Sequence, residues 1–482
     1  MTPQQSRLVA AVRSRFGARS VSTDPDAIAP WLVDWRGRYR GAAPAILSPG
    51  STEEVAAIVA LAAEYGVPLV PQGGNTSMVG GATPPADGRA LILSTRRLNR
   101  LRRVAQDDGL IVAEAGVILQ TLHDAAAAVG HRFPLDLGAR GSATVGGLAS
   151  TNAGGVQVLR WGTMRALVLG VEAVLPDGQV HDGLAALKKD NRGYDLDQLL
   201  VGAEGTLGII TAATLRIVPA VRARAVGWVG VDSPHAALEL LRRAERASGA
   251  VESFEIVAGH SLGEVIRHIP DTRSPLAQAF AWHVLIEAVA AGEGADDPQR
   301  VLEDLLAGAL ADGVIGDAVL AASEAQAKAF WRIRHSLSEA ERASGPAVQH
   351  DISVPVARMP DFMVDDAARV ERRFPGTRTA AFGHLGDGNV HFHVRAPAGV
   401  DGPAWYAEEA GAITAYVNDL VVAAGGSISA EHGIGQMKVA ELARLGPASR
   451  IAALRAIKAA IDPQALFNPG KLVPLAGEEA QP

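Results

Sequence analysis

Pro71-Gln72-Gly73-Gly74-Asn75-Thr76-Ser77 follows the apolar run 67–70 and breaks it with consecutive small residues. Glycine permits positive φ, so successive N–H groups can converge on one anion. Asn75, Thr76 and Ser77 add side-chain donors, and a phosphate or pyrophosphate is the natural ligand of such a nest. The spacing is neither the dinucleotide fingerprint G-x-G-x-x-G nor the P-loop G-x-x-x-x-G-K-[ST]. Taken alone, the stretch also reads as a surface loop. A second stretch decides between the two. Pro134-Leu135-Asp136-Leu137-Gly138 leads into Gly141-Ser142-Ala143-Thr144-Val145-Gly146-Gly147 and then Thr151-Asn152-Ala153-Gly154-Gly155. Residues 138–155 hold six glycines, too many for helix or strand. Val145, Leu148 and Ala149 make disorder a poor fit, so a packed loop wrapped around a ligand is expected.

Outward from these loops, residues 43–220 alternate short strands with helices. Residues 45–47 read as a strand, and Ser51 with Glu54 has the spacing of a capping box that opens a helix to about Tyr65. Further strands are expected at 67–71, 90–94, 110–113, 168–175 and 207–218, with a helix at 119–129. Asp177-Gly178 is a hairpin turn dipeptide between 168–175 and 179–180. Beyond 220 the texture changes: a strand at 226–231, an amphipathic helix at 234–247, a strand at 390–394 and a helix at 403–423. A glycine-rich turn at 425–435 then precedes helices to about 460. The division expected is an N-terminal segment 1–42, a module 43–220, a second module 221–425 and a closing segment 426–482. The class is α+β.

Composition excludes several functions. The chain has 482 residues and no cysteine, so thiol nucleophiles, iron–sulfur clusters, cysteine zinc sites and cysteinyl-linked cofactors are ruled out. A formal charge of −7 argues against a nucleic-acid partner. No apolar run approaches the ~18–20 residues of a membrane span, so an integral membrane protein is not expected. Arg7, Arg13, Arg15 and Arg19, with no acid before Asp24, suit a transit peptide or an amphipathic surface helix, and the helix is the reading preferred. The expected place is the cytoplasm or the periphery of a membrane.

Gly383-His384-Leu385-Gly386-Asp387-Gly388-Asn389-Val390-His391-Phe392-His393-Val394 puts three of the thirteen histidines within ten residues. Asp387-Gly388 should turn the chain so that His384 meets the following strand, where His391 and His393 share a face. One histidine is usually a core or surface residue; three beside a tight turn point to a metal. Glu431-His432 adds a carboxylate and a further imidazole between Ala430 and Gly433. Two histidines and a carboxylate leave open positions on Zn²⁺ or a similar ion, as in a catalytic site. Arg334, in Trp331-Arg332-Ile333-Arg334, read alone is a solvated helix arginine.

Residues 71–81, 141–155 and Gly202-Ala203-Glu204-Gly205-Thr206-Leu207-Gly208-Ile209-Ile210-Thr211 together resemble the three FAD-contacting segments of the vanillyl-alcohol oxidase type flavoproteins. With the C-terminal pieces, the chain is similar from about 43 to Pro474 to the branch of D-2-hydroxyglutarate dehydrogenase, D-lactate dehydrogenase and the glycolate oxidase flavoprotein subunit. The resemblance implies a two-part FAD-binding domain, a substrate domain with an antiparallel sheet and helices, and a C-terminal helical segment. It places FAD on Pro71, Gly73, Gly74, Asn75, Thr76, Ser77 and Gly80, with the pyrophosphate at 73–77. It adds Pro134, Asp136, Gly141, Ser142, Thr144, Gly146, Gly147, Ala149, Asn152 and Gly154, then Glu204, Gly208 and Ile209. Asn468, in Phe467-Asn468-Pro469-Gly470-Lys471, would reach the flavin from the C-terminus. With no cysteine, and no histidine in 71–81 or 138–155, the FAD is expected to be non-covalent.

The resemblance further implies that His384, His391 and Glu431 bind one divalent metal, Zn²⁺ first and Mn²⁺ or Fe²⁺ as alternatives, and that His432 is the active-site base. Arg334 would pair with the substrate α-carboxylate, for which a planar guanidinium is suited. Ser338, Gln349 and His393 would complete the substrate side. Two of these depart from the family pattern: lysine is usual at Gln349 and asparagine at His393. The implied reaction is metal-assisted oxidation of a D-2-hydroxy acid, D-2-hydroxyglutarate first and D-lactate second, with hydride passing to flavin N5. Electrons would leave to an electron-transferring flavoprotein or a quinone, and a homodimer is compatible. Two alternatives stand beside it: a glycolate-oxidase-like subunit inactive without partners, and a non-redox flavin transferase such as the ether-lipid synthase.

Overall fold

The computed structural model describes residues 1–292 and 294–473; the end of the expected C-terminal segment, 474–482, with Pro474 as the limit of the resemblance, lies outside the described residues. The chain divides into two compact units: Met1–Gly155, Trp161–Val218 and Glu431–Pro482 form the first, and Val156–Arg160 with Pro219–Ala430 the second.

The first unit contains two main sheets. Its four-stranded sheet runs Val21–Ser22, Ile46–Leu47, Leu91–Ser94, Leu69–Gln72, and the last three pair in parallel. The helix Thr52–Tyr65 begins at Ser51, whose hydroxyl accepts from Glu54 N, and ends at Gly66 in the left-handed region. Only half of the expected capping box forms, because the Glu54 carboxylate takes Gly50 N at 2.7 Å instead. Val55, Ile58, Val59 and Ala62 pack with Leu47, Leu69 and Leu91, and the N-terminal helix Pro3–Phe16 adds Leu8, Val9 and Val12 to the same core. That helix is amphipathic, as preferred from the sequence.

A five-stranded antiparallel sheet follows, in the order Leu101–Ala105, Leu110–Glu114, Ile209–Arg216, Val168–Val174, Val180–Asp182. Asp177-Gly178 turns the chain between the last two, with Val174 opposite Val180. The glycine-rich stretch 138–155 corrects the expectation of no regular element: Val145–Ser150 is a helix. Gly146 N donates to Ala115 O, and a Cβ on Gly146 would lie 2.7 Å from the Ala115 Cβ. Glycine there serves a close approach of the helix to the turn that follows Leu110–Glu114, and the entropic cost of a helical glycine is offset by packing.

The second unit is built on seven antiparallel strands in the order Asp317–Leu320, Ala223–Val231, Trp282–Ala290, Val251–Ala258, Arg378–His384, Asn389–Arg395, Ala347–Ser353. One face is covered by the helices Pro234–Ala247, Pro298–Ala311 and Gly402–Ala423 over Phe254, Ile256, Ile286, Ile352 and Phe392. Gly259–His268, Glu324–His335 and Leu337–Ala343 cover part of the other, over Trp228, Val257, Leu285 and Phe382. Residues directly opposed on antiparallel strands share a face. Gln349 opposes His393, Asp351 opposes His391, Phe382 opposes His391, and Glu255 opposes His384. All therefore lie on the second face, the one that carries ionisable groups.

Candidate active site

In the first unit the two glycine loops meet. A Cβ on Gly73 would overlap the Thr144 hydroxyl, and one on Gly74 would overlap the Ser142 carbonyl. Asn75 has φ 54° and holds the loop through Nδ2 to Val33 O at 2.9 Å, while the Ser77 hydroxyl accepts from Gly81 N at 3.0 Å. Gln72, which sequence reasoning left out, anchors the turn through Nε2 to Trp31 O and Ala82 O. Pro71, Thr76 and Gly80 lie on the same short segment. Gly141 and Ser142 are exposed, Thr144, Gly146, Ala149 and Gly154 are buried, and Gly147 and Asn152 are half-buried. Pro134 is buried, and a Cβ on Gly155 would meet the Asp136 carbonyl. Asn152 Oδ1 accepts from Arg165 N at 2.9 Å. Gly208 and Ile209 enter the strand Ile209–Arg216, where the Ile209 side chain is core, so only their backbone is available to a ligand.

Glu204 is buried in the middle of this region. Its two carboxylate oxygens accept from Ile434 N and Gly435 N, each at 2.7 Å. Burial pushes its carboxyl above the usual range, and those two N–H groups only partly oppose the shift. Glu204 thus fastens the turn that begins at Glu431-His432. Asn468 donates from Nδ2 to Gly81 O (3.0 Å) and Glu204 O (2.7 Å). Asn75, Asn152, Glu204 and Asn468 are four of the seven non-glycine residues with positive φ among those described. Such backbone costs of order 1–3 kcal/mol per residue and gathers at ligand clamps.

FAD fits this framework on two observations. Thr144 Oγ1 and Asn468 Oδ1 are buried without hydrogen-bond partners, and buried polar atoms in native proteins are normally satisfied. The glycine contacts also leave no room for side chains where the two loops approach.

In the second unit, Arg334 sits near the end of Glu324–His335 and is buried, correcting the solvated reading. Its Nε donates to Glu255 Oε2 at 2.7 Å, and Glu255 Oε1 lies 2.7 Å from His384 Nδ1. Arg334 Nη2 faces His384 Nε2 at 3.4 Å. A guanidinium only donates, so Nε2 carries the lone pair and the imidazole proton resides on Nδ1, against Glu255. Burial pushes the Glu255 carboxyl upward, and His384 and Arg334 outweigh that and hold it ionised. Glu255 lies within the apolar strand Val251–Ala258 and carries no motif; an acid among apolar strand residues was its one signal.

His391 stacks edge-on to His384, ring centroids 5.6 Å apart. Burial holds His391 well below the usual imidazole range, and Asp351 offsets this only in part. Neutral imidazoles are what a metal requires of its ligands, and burial keeps His391 in that form, so its donor chemistry fits a Zn²⁺-like ion. Asp351, also missed, is steadied by Asn389 Nδ2 at 2.9 Å. Phe382 lies between His391 and His393, and Arg334 Cζ stands 5.4 Å from its ring centroid. Gln349 and His393, the two departures, oppose each other across adjacent strands. Ser338 is on the exposed side of Leu337–Ala343.

Residues 220–472 match the family described as FAD linked oxidases, C-terminal domain, and residues 43–183 match the FAD binding domain. D-2-hydroxyglutarate dehydrogenase, mitochondrial, of Bos taurus is 37% identical over 456 residues, 94% of this chain and 81% of that protein. D-2-hydroxyglutarate dehydrogenase of Xanthomonas citri pv. viticola is 34% identical over 464 residues, 96% of each. Among solved structures, p-cresol methylhydroxylase with substrate bound superposes with a TM-score of 0.75 at 15% identity, covering 98% of this chain and 97% of that one, a likeness of fold. The two matched domains and the length of these alignments agree: the chain belongs to the FAD-linked oxidases, in the branch of the D-2-hydroxyglutarate dehydrogenases.

Proposed function

We propose that this enzyme oxidises a D-2-hydroxy acid to the 2-oxo acid, with D-2-hydroxyglutarate the first substrate and D-lactate the second. The observation that carries the reading is the buried chain Arg334–Glu255–His384 beside His391, a carboxylate-binding cation and two imidazoles on one sheet face. With Nε committed to Glu255, Arg334 presents its terminal Nη1–Nη2 edge to the substrate carboxylate, the bidentate contact a guanidinium makes best. Ser338, Gln349 and His393 complete the substrate side; at Gln349 an amide stands where lysine is usual, and at His393 an imidazole stands where asparagine is usual.

His432 takes the hydroxyl proton as general base. Glu204, by holding Ile434 and Gly435, limits how far the base can drift. His384, His391 and Glu431 would hold a divalent ion, Zn²⁺ first, whose Lewis acidity lowers the pKa of a bound hydroxyl. FAD, held non-covalently by the residues of 71–80, 134–154, 204–209 and Asn468, supplies the hydride acceptor.

Electrons then pass to an electron-transferring flavoprotein or a quinone. The place proposed is the cytoplasm or a membrane surface, although the Bos taurus relative is named as mitochondrial. No helix among the described residues is long and apolar enough to cross a membrane.

The test is anaerobic bleaching of the flavin band near ~450 nm by a panel of D-2-hydroxy acids and their L-enantiomers. D-2-hydroxyglutarate should bleach it fastest and L-enantiomers should not. No bleaching by any member would remove the dehydrogenase reading in favour of the non-redox transferase. Bleaching without turnover on an artificial acceptor would favour the partner-dependent subunit.

A further inference from the structure

The C-terminal part of the first unit buries two lysines, and they differ. Lys458 Nζ donates to Thr206 O at 2.7 Å, to Phe467 O at 3.0 Å and to the Asp462 carboxylate. Lys471 is 4% exposed and makes no side-chain hydrogen bond or ion pair with any described residue. Burial lowers it to about 8, with Glu204 the one charge opposing the shift. Both Glu204 oxygens are already engaged by Ile434 N and Gly435 N. A lysine this buried, with no acceptor among the described residues, is costly to keep charged, so the position suits a partner from outside the described residues.

Three residues earlier stands the complementary defect. Asn468 Oδ1 is buried without a donor, and its orientation is settled because Nδ2 donates to two carbonyls. The turn between them is held in unusual backbone, with φ 45° at Asn468 and 62° at Leu472, and Leu472 N is tied to Gly435 O at 3.0 Å. Both residues have Glu204 as a neighbour, Asn468 through Nδ2 to its carbonyl and Lys471 through the attraction of its carboxylate, and together they suit a ligand that offers a hydrogen-bond donor and, close to it, an anionic acceptor. A pyrophosphate offers acceptors only and leaves Asn468 Oδ1 unsatisfied. The pyrimidine edge of an isoalloxazine offers N3–H beside C2=O and N1.

We infer that Lys471 delivers a positive charge to the N1–C2=O edge of bound FAD, with Asn468 Oδ1 accepting from the neighbouring N3–H. The inference rests on the FAD reading above and deepens it by assigning a residue that tunes the cofactor. Hydride arriving at N5 brings two electrons and one proton, and the resulting negative charge is shared by N1 and C2=O; charge placed there by the protein sets the potential. Sulfite adds to N5 through its sulfur lone pair and leaves the same negative charge at N1–C2=O, without turnover.

The experiment compares holoenzyme of the wild type, Lys471→Met and Lys471→Gln by sulfite titration of the flavin spectrum and by spectroelectrochemistry. Both variants should keep FAD, bind sulfite about tenfold more weakly, and show a two-electron potential lower by ~30 mV for each tenfold change. Lys471→Gln keeps a donor but no charge, so it decides the matter if Lys471→Met does not accumulate folded. Sulfite affinity and potential within twofold of the wild-type equilibrium, with FAD released tenfold more readily, would assign Lys471 to the pyrophosphate and overturn the inference. Unchanged values on every measure would overturn it as well. A wild-type chain that binds no FAD would instead defeat the cofactor reading itself.

Discussion

Glu255→Gln tests the buried centre of the substrate unit. The carboxylate is 1% exposed and the Arg334 side chain 8%, so solvent screens the pair little. Glutamine keeps one acceptor oxygen and turns the other into a donor. That NH₂ must face either the Arg334 Nε–H or the His384 Nδ1–H. A hydrogen bond to a charged group is worth ~1.5–3 kcal/mol, and stripping one partner from a buried ion pair costs ~3–5 kcal/mol because the remaining charge is uncompensated. At ~2–4 °C per kcal/mol for a unit of this size, thermal unfolding should begin about 6–20 °C earlier. If the amide faces His384, the imidazole proton moves to Nε2, and the lone pair that faces Arg334 Nη2, and that a metal would need, is lost. Zn²⁺ affinity should then fall by roughly 10–100-fold, the usual cost of removing a group that orients a ligand. Circular dichroism melts and competitive zinc titration on the same samples read both effects. Removing both charges in Glu255→Met/Arg334→Met should cost clearly less than the sum of the two single changes. A melt within ~2 °C of wild type, or additivity within ~0.5 kcal/mol, would refute the reasoning.

Arg334→Lys should not behave as a conservative change, since an ammonium cannot hold Glu255 through Nε and present a fork to substrate. KM is expected to rise at least tenfold (roughly) with a smaller loss of kcat, and unchanged kcat/KM would take Arg334 out of the site. Mild chelation should abolish turnover while the flavin spectrum stays with the protein, and Glu431→Gln should match the chelated enzyme because an amide is a poor substitute for an anionic ligand; flavin loss on chelation would make the ion structural. His432→Ala should slow flavin reduction by about 10²–10⁴-fold and remove the acidic limb of the rate profile, with FAD and metal retained. Metal loss in His432→Ala, together with its retention in His391→Ala, would exchange the two roles.

Local chemistry was legible wherever it stayed local. Asp177-Gly178 announces a hairpin turn, and the strands Val168–Val174 and Val180–Asp182 do pair across it. The glycine loops announced a ligand because their composition excludes a self-sufficient core. What escaped was tertiary. Arg334 looks solvated until Glu255, 79 residues away, is brought against it, and no periodicity encodes that pairing. The helix Val145–Ser150 was hidden by its glycines, and the reason for Gly146 lies in Ala115, just past the strand Leu110–Glu114. Lys471 carries no assignable signal in the sequence, because its burial is invisible before folding.

The first unit closes around its own chain end. Phe467 bridges Leu69, Asn468 N reaches Leu69 O, and Lys458 and Asp462 grip the backbone at 206, 466 and 467. More than two hundred residues of the other unit are synthesised between those partners. During synthesis, then, the strand Leu69–Gln72 and its glycine loop leave the ribosome long before the residues that finish their cradle. On the proposed flavin site, cofactor loading is a late event that waits for release of the last segment. A chain cut anywhere before Asn468 would keep every glycine loop but lose the proposed contact of Asn468 with the flavin, so yellow colour is expected to report whether a given molecule was finished.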